Sequence, residues 1–486
     1  MIAQRTLDAD IVVIGTGFAG IGMAIALKKA GIEDFVVLER ARDLGGTWRD
    51  NDYPGCACDI PSMLYSFSFE RNDRWSRIYP PQGEIWEYLR RCVERHRIGP
   101  HIRFDTDVRG AEYDDASATW TVRTQHGELR TRVIVSGMGP LNRANVPDIP
   151  GLQSFAGTVF HSSAWNHDYD LRGKNVGVIG TGASSIQFVP EIAPVAGRLH
   201  VFQRTPPWVI PKPDRAVGAL GRTLRRFPPY AWAVRKLIYW ILEVRAYGFT
   251  VDPKRLELAE RLSLHHLARQ VPGAELRAKL TPAYRLGCKR VLLSSDYYPA
   301  LQRPNVELVT SEIREVQPGG VVTADGVVRP LDALVFGTGF HAADSVAPMS
   351  IVGRGGVTLD DAWRDGARAY LGISVAGFPN LFLLIGPNTG LGHNSMVFMI
   401  EAQIRYVMSA LAHMRRARVP ALDVRREVQA GFNAALQRRM ARTVWASGCT
   451  SWYLDRSGRN TTLWPGFTFV YRFLTRRLDP RKYERA

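Results

Sequence analysis

Cysteine is scarce in this chain, with five residues among 486. So few and such scattered cysteines exclude the dense disulfide framework of small secreted domains. Cys56 and Cys58 are one residue apart, a spacing that fits neither a zinc knuckle nor a redox C-x-x-C pair. We therefore expect no metal site and no reactive cysteine pair. The five positions are Cys56, Cys58, Cys92, Cys288 and Cys449.

The chain also lacks long apolar runs, low-complexity tracts and coiled-coil or collagen-like repeats. An apolar strand begins at Ile11, which leaves no room for a signal peptide before it. The most apolar long stretch, Tyr230 to Phe249, contains Arg235, Lys236 and Arg245, too much charge for a bilayer span. The expectation is a soluble cytoplasmic protein.

Acidic residues are outnumbered: 63 Lys and Arg face 46 Asp and Glu, a formal charge of +17 with a pI near 9.9. Such a charge suits an acidic partner such as nucleic acid, an anionic membrane or a phosphorylated cofactor. The basic residues are spread along the chain, however, which favours a solvated arginine-rich surface over nucleic-acid binding. The composition is globular, and 486 residues predict two or three domains.

A first glycine-rich turn follows the apolar run that ends at Ile14, with glycines at 15, 17 and 20. Gly15 permits the tight turn, Gly17 lets a pyrophosphate approach the backbone, and Gly20 lets helix and strand pack closely. The next apolar strand ends in Glu39, nineteen residues after Gly20 (39 minus 20). An acid at this spacing accepts hydrogen bonds from a ribose hydroxyl. Strand, turn, helix, strand and acid together predict a dinucleotide site.

A second turn of the same kind follows the strand that ends at Ile179. Its members are Gly180, Thr181, Gly182, Ser184 and Ser185, with Gln187 in the helix behind them. Here the next strand ends in Gln203-Arg204-Thr205 and carries no acid. An arginine at this point pairs with a 2′-phosphate, so the site should prefer NADPH to NADH. One acid-anchored and one arginine-anchored site predict two different dinucleotides, FAD at the first and NADPH at the second.

The predicted fold class is therefore α/β, with two Rossmann-like domains. Residues 1–145 form the first part of the FAD domain, and 151–330 form the NADP domain with a helical insertion at about 207–285. Residues 331–486 return to the FAD domain, starting with the buried strand near 332–336, and end in a segment on the substrate side. We prefer an insertion covering the substrate cavity for Tyr230 to Phe249, with membrane-surface contact as the alternative.

The loop between the two domains carries the most specific resemblance. It contains Phe155, Gly157, His161 and Trp165, in the pattern F-x-G-x-x-x-H-S-x-x-W. This pattern resembles the fingerprint of the flavin-dependent Baeyer–Villiger monooxygenases, and the resemblance runs essentially from end to end of the chain. Asn166 departs from the Pro or Asp that closes the family's fingerprint.

The resemblance implies roles for further residues. Asp59 matches the family's active-site aspartate, and Arg290 the arginine at the oxygenation centre. Lys289 matches the lysine that helps to hold the NADP phosphate, and Trp452 a tryptophan near the nicotinamide. The flavin side is matched by Gly46, Thr47, Trp48, Tyr65, Val108 and Met396.

The implied activity is insertion of one oxygen atom next to a ketone carbonyl, with NADPH, dioxygen and a peroxyflavin. One alternative is oxygenation of sulfur or nitrogen, for instance in a thioether, by the sister group that shares both nucleotide sites. A flavin disulfide reductase would need a reactive cysteine pair. A non-catalytic NADPH-binding protein would lack flavin.

Overall fold

The computed structural model describes residues 7–342, 349–455 and 457–485. The helices are α1 (Phe18–Lys29), α2 (Thr47–Asp50), α3 (Gln82–Arg95), α4 (Ser185–Ile192), α5 (Ala219–Arg226), α6 (Pro228–Thr250), α7 (Glu257–Gln270), α8 (Ala274–Leu280), α9 (Tyr297–Leu301), α10 (Leu359–Ala362), α11 (Met396–Ala417), α12 (Arg426–Met440) and α13 (Thr468–Leu474). The strands are β1 (Ile11–Ile14), β2 (Phe35–Leu38), β3 (Ile102–Arg103), β4 (Val108–Asp114), β5 (Thr119–Thr124), β6 (Gly127–Thr131), β7 (Val133–Ser136), β8 (Thr158–His161), β9 (Asn175–Ile179), β10 (Arg198–Phe202), β11 (Val209–Ile210), β12 (Leu292–Leu293), β13 (Val306–Val309), β14 (Ile313–Gln317), β15 (Gly320–Thr323), β16 (Val328–Pro330), β17 (Ala333–Phe336), β18 (Ser350–Val352), β19 (Leu381–Leu383), β20 (Leu422–Val424) and β21 (Tyr483–Arg485).

The first nucleotide domain is built on a parallel sheet in the order β19-β7-β1-β2-β3. Its central strand, β1, is apolar and fully buried, because one face packs against α1 and the other against the sheet formed by β4 and β5. Because β1 and β2 run in the same direction, the turn after Ile14 and the acid after Leu38 meet at one edge of the sheet.

The second nucleotide domain repeats this plan in the order β13-β10-β9-β17-β8. Strand β17 corrects the predicted division of the chain. It was expected to return the chain to the FAD domain, but it pairs with β8 and β9 in the second sheet. The chain rejoins the first domain only afterwards, where β18 pairs with β4 and β19 with β7. A buried apolar strand ending in glycine suits either parallel sheet, so its pattern alone did not decide between them.

The insertion lies between β10 and β13 and contains helices α5 to α8. The short parallel pair of β11 and β12 closes its base. Within the described ranges, no helix has both the length and the apolar character needed to cross a membrane.

A disulfide joins Cys288, just after the insertion, to Cys449 near the end of the chain. The scattered spacing of the cysteines does not indicate this pair. The bond spans 161 residues, and its two Cα atoms are 6.2 Å apart. It fixes the C-terminal segment beside Lys289 and Arg290.

Candidate functional site

A cavity of about 1730 Å³ lies between the two nucleotide domains and is lined by both glycine-rich turns. Its size and position suit two extended ligands that approach each other from opposite sheets. The lining includes most of the residues singled out from the sequence: Gly15, Gly17, Glu39, Gly46, Thr47, Trp48, Asp59, Tyr65, Val108, Gly180, Thr181, Gly182, Ser184, Gln187, Arg204, Thr205, Lys289, Arg290, Met396 and Trp452.

The first turn has the close backbone approach that a pyrophosphate requires. Gly15 has a φ of +93°, and a Cβ there would lie 3.3 Å from the carbonyl oxygen of Gly137. A Cβ on Gly46 would lie 3.2 Å from the Cα of Gly17, so these two glycines form one side of the cradle. Gly20 lies behind the cradle, where a Cβ would approach the Gly15 carbonyl oxygen to 1.8 Å. Its role is therefore helix packing.

Glu39 lines the cavity with its carboxylate already fixed by protein donors. Oε2 accepts hydrogen bonds from the Thr16 backbone N–H at 2.9 Å and the Thr16 hydroxyl at 2.6 Å. Oε1 accepts from Arg49 Nη1 and the Ala41 backbone N–H, both at 3.0 Å. These four donors match the roughly four lone-pair sites of a carboxylate, so a ribose hydroxyl would take the place of one of them, such as the rotatable Thr16 hydroxyl. The protein donors thus fix the orientation of the Glu39 carboxylate before a ribose hydroxyl binds.

Aromatic side chains form the wall beyond this turn. Trp48 Nε1 donates a hydrogen bond to the Tyr65 hydroxyl at 3.0 Å, and the two rings meet edge to face. Val108 and Met396 line the same cavity from β4 and the start of α11. An apolar and aromatic wall beside a phosphate cradle fits the flavin half of FAD.

The first glycine of the second turn also has a positive φ, which glycine adopts without steric cost. Gly180 has a φ of +105°, and a Cβ there would lie 2.6 Å from the carbonyl oxygen of Gly337. Ser185 replaces the third glycine but is fully buried and does not line the cavity. A Cβ added to Gly337 would lie only 1.9 Å from the hydroxyl oxygen of Ser185, so the two residues are in close contact. It packs α4 onto β17, as Gly20 packs α1.

Two cations meet beside this second turn. Burial and the nearby charge of Arg204 lower the pKa of Lys289. Lys289 Nζ lies 5.0 Å from the centre of the Tyr284 ring, while Arg204 is exposed to the cavity. An anionic group between the two cations would relieve their repulsion. The pair therefore fits the 2′-phosphate of NADPH.

Arg290 and Asp59 come together from positions 231 residues apart. Arg290 Nε donates to Asp59 Oδ2 at 3.0 Å, and Nη2 donates to the same oxygen. The Asp59 charge raises the pKa of Arg290 further above its usual range, so the guanidinium stays charged. Burial raises the pKa of Tyr453 to about 12, a shift that neighbouring Arg290 opposes. The arrangement aims a fixed positive charge into the cavity.

Gln187 joins the two domains. Its Nε2 donates to the Ala57 carbonyl at 3.0 Å, and its Oε1 accepts from the Ala57 N–H at 3.2 Å. The Tyr53 hydroxyl donates to the same Oε1 at 3.2 Å. The second nucleotide helix thus holds the loop that carries Asp59.

The fingerprint residues lie outside the cavity lining. Trp165 packs against Phe188 of α4 with ring centres 5.3 Å apart, and Gly157 lies close beneath the Phe155 ring. His161 is buried, accepts from the Ser163 N–H, and contacts the ring of Phe340, which lines the cavity. These contacts lie within the second nucleotide domain, although Phe188 in turn meets Tyr53 of the first domain with ring centres 5.9 Å apart. None of the four fingerprint residues lines the cavity.

Cys56 and Cys58 are free, buried thiols. Burial raises the pKa of the Cys56 thiol to about 12 and that of Cys58 well above its usual value. Neither is a thiolate near neutral pH, and the thiolate is the form that reacts. The reactive pair needed by a disulfide reductase is therefore not built from these residues.

Sequence reasoning missed three features of the site. Tyr453, which neighbours Arg290, and the contact of Gln187 with the backbone of Ala57 have no signal in the local sequence pattern. The Cys288–Cys449 bond was not anticipated. The only signal of this bond in the sequence is that each cysteine lies close to a predicted site residue, Cys288 to Lys289 and Cys449 to Trp452.

Residues 12–228 match the family model described as pyridine nucleotide-disulphide oxidoreductase, which covers both turns. A Baeyer–Villiger monooxygenase from Pseudomonas aeruginosa is 49% identical over 477 residues, covering 97% of this chain and 90% of the relative. One from Streptomyces coelicolor is 49% identical over 480 residues, covering 98% and 92%. The chain belongs to the Baeyer–Villiger monooxygenases.

Solved structures agree with this assignment. An oxidised steroid monooxygenase bound to NADP superposes with a TM-score of 0.87 at 33% identity, covering 96% of this chain and 97% of that one. A complex of OTEMO with FAD and NADP gives 0.90 at 28% identity, covering 99% and 100%. The expected family, fold class and cofactor pair are confirmed. This Baeyer–Villiger monooxygenase uses FAD, NADPH and dioxygen.

Proposed function

We propose that the enzyme converts a ketone to an ester or lactone at the end of the cavity where Arg290 and Asp59 meet. The observation that carries this proposal is the doubly hydrogen-bonded contact between Arg290 and Asp59 in a cavity shared by both nucleotide turns. When bound, NADPH and FAD supply the reducing equivalents and the activation of dioxygen. The protein orients the substrate and both cofactors and supplies the electrostatic field around them.

Arg290 stabilises negative charge as it develops on the carbonyl oxygen of the substrate. A guanidinium remains charged and can donate from more than one N–H. Asp59 accepts from Nε and Nη2, and the Tyr453 hydroxyl also hydrogen-bonds to the guanidinium, so its remaining N–H groups are the donors available to the cavity that Arg290 lines. A fixed donor of this kind contributes on the order of 3 kcal/mol to transition-state stabilisation.

The nucleotide ends are held by separate sets of residues. Gly15, Gly17 and Glu39 hold the FAD pyrophosphate and ribose, whereas Arg204 and Lys289 hold the 2′-phosphate of NADPH. Trp452 closes the cavity near the nicotinamide, beside the disulfide-fixed segment that contains Tyr453. Gly20 and Ser185 act by packing the nucleotide helices, and the fingerprint residues act by packing within the second nucleotide domain.

A competition between one ketone and one thioether tests the proposed preference. Under NADPH and labelled dioxygen, the ester should carry one labelled oxygen and should form in large excess over the sulfoxide. Predominant sulfoxide would assign the enzyme to heteroatom oxygenation. Free hydrogen peroxide as the sole oxygen product, with either compound, would contradict both.

A further inference from the structure

Helix α6 has an apolar stripe that faces away from the protein. Leu237, Trp240, Ile241 and Val244 follow one another at helical spacing, and each is at least half exposed, with Val244 at 67%. The opposite side of the helix is buried, including Tyr239, Leu242 and Phe249. The helix thus has two apolar sides, and the core accounts for only one of them.

The exposed apolar surface continues onto neighbouring elements. Trp240 contacts Phe469 of α13, with ring centres 5.9 Å apart. Phe473, 60% exposed, lies one helical turn further along α13 on the same side. Phe227, also 60% exposed, joins α5 to α6. A contiguous exposed apolar surface of this kind marks an interaction site.

Cations are placed directly on the aromatic rings of this surface. Lys236 Nζ lies 5.9 Å from the centre of the Trp232 ring. The Arg255 guanidinium lies 5.1 Å from the Tyr247 ring, and that of Arg476 4.3 Å from the Phe473 ring. Aromatic rings combined with long cationic side chains are typical of surfaces that sit where hydrocarbon meets headgroups.

Acidic residues are almost missing from this part of the sequence. Between positions 215 and 250 the chain has seven Arg or Lys residues and one acid, Glu243. Glu243 is buried and accepts hydrogen bonds from Asn394 and Thr468. At the edge, Asp73 pairs with Arg226 and Asp252 pairs with Arg255, each at 3.5 Å. The surface is therefore apolar at its centre and positive around it.

We propose that this face, formed by α5, α6 and α13, docks on the surface of an anionic phospholipid bilayer. An apolar face ringed by cations binds such a surface through both buried area and attraction to the headgroups. A second copy of the chain is the competing occupant, but it would bring two cationic rims together, which like-charge repulsion disfavours. This assignment goes beyond the proposed reaction and takes up the membrane-surface alternative to an insertion that only covers the substrate cavity.

The same helix connects this face to the cavity. Phe249 of α6 stacks with His393 at 6.3 Å between ring centres, and the adjacent Asn394 lines the cavity. One helix therefore separates the docking face from the cavity wall.

Cosedimentation of the flavin-loaded, full-length enzyme with vesicles tests the assignment. Vesicles of equal parts phosphatidylglycerol and phosphatidylcholine should bind the enzyme at low salt and release it as salt rises. Pure phosphatidylcholine should bind far less. The double variant Trp240→Ser/Val244→Ser should lower the partition coefficient at least tenfold. Arg222→Gln/Lys236→Gln should lower it about fivefold per charge removed.

The matched control is Val328→Ser/Val357→Ser, which removes exposed valines elsewhere and should bind like the wild type. All variants should retain wild-type flavin absorbance, which shows that they fold. Failure of the wild type to bind the anionic vesicles would overturn the assignment. So would undiminished binding by Trp240→Ser/Val244→Ser. A dimer in light scattering that this same double variant dissociates, without vesicle binding, would give the face to a second copy.

Discussion

Gln187 on α4 makes two reciprocal hydrogen bonds with the backbone of Ala57, at 3.0 and 3.2 Å. Asp59 follows two residues later and pairs with Arg290. The position of the Arg290 guanidinium thus depends on a contact between the NADP helix and a loop of the FAD domain. A shift of one domain against the other would move the proposed oxygenation centre.

Gln187→Ala should uncouple the reaction. Loss of the amide leaves the backbone groups of Ala57 without these partners, a cost of about 1–3 kcal/mol where such groups are buried. We expect roughly a tenfold rise in hydrogen peroxide formed per NADPH consumed. Gln153→Ala, at an exposed glutamine, is the control. Unchanged coupling in Gln187→Ala would show that the contact does not position Asp59.

Arg204→Ala should raise the KM for NADPH about tenfold or more, because a charge-assisted hydrogen bond contributes roughly 1.5–3 kcal/mol. The KM for NADH should change little, since NADH has no 2′-phosphate. Arg198→Ala, at the far end of β10, is the control. Equal effects on the two coenzymes would remove the proposed phosphate contact.

As pH rises, NADPH binding should weaken at a lower pH than it would if Lys289 had the pKa of an ordinary lysine. Burial and Arg204 lower the pKa of Lys289, so its charge is lost as pH rises through a value below the usual 10.4 or so. The KM for NADPH should therefore rise with pH in that range. Lys289→Arg should flatten the profile because a guanidinium stays charged. The same slope in both enzymes would contradict the role of Lys289.

Removal of the Cys288–Cys449 bond should destabilise the holoenzyme. Closing a loop of this length is worth up to about 5 kcal/mol on the chain-entropy model. The double variant Cys288→Ser/Cys449→Ser should release flavin at a lower temperature, and dithiothreitol should affect only the wild type. Thiol titration in denaturant should find three thiols without reductant, since Cys56, Cys58 and Cys92 are free. Five thiols in the untreated enzyme would refute the pairing.

The parts of the fold that sequence reasoning predicted are those coded over short stretches. Strand, glycine turn, helix and terminal Glu39 or Arg204 lie within about 30 residues of each other. The sheet that receives β17 was predicted wrongly, since both parallel sheets accept a buried apolar strand of this kind. Asp59, the partner of Arg290, is 231 residues away, and only the family resemblance identified both as active-site residues.

The fingerprint residues show a second limit of prediction from sequence. Phe155, His161 and Trp165 were identified by pattern, but a pattern does not say whether its members touch a ligand. The structure places them in the packing of the second nucleotide domain, outside the cavity lining.

The most direct test of the central claim is product analysis of Arg290→Ala, with Arg204→Ala as the matched cavity variant. At saturating NADPH and ketone, Arg290→Ala should still reduce its flavin within a few fold of the wild-type rate, while ester formation falls about 10²–10³-fold. Arg204→Ala should form ester normally once NADPH is saturating. Ester produced by Arg290→Ala at the wild-type rate would contradict the account.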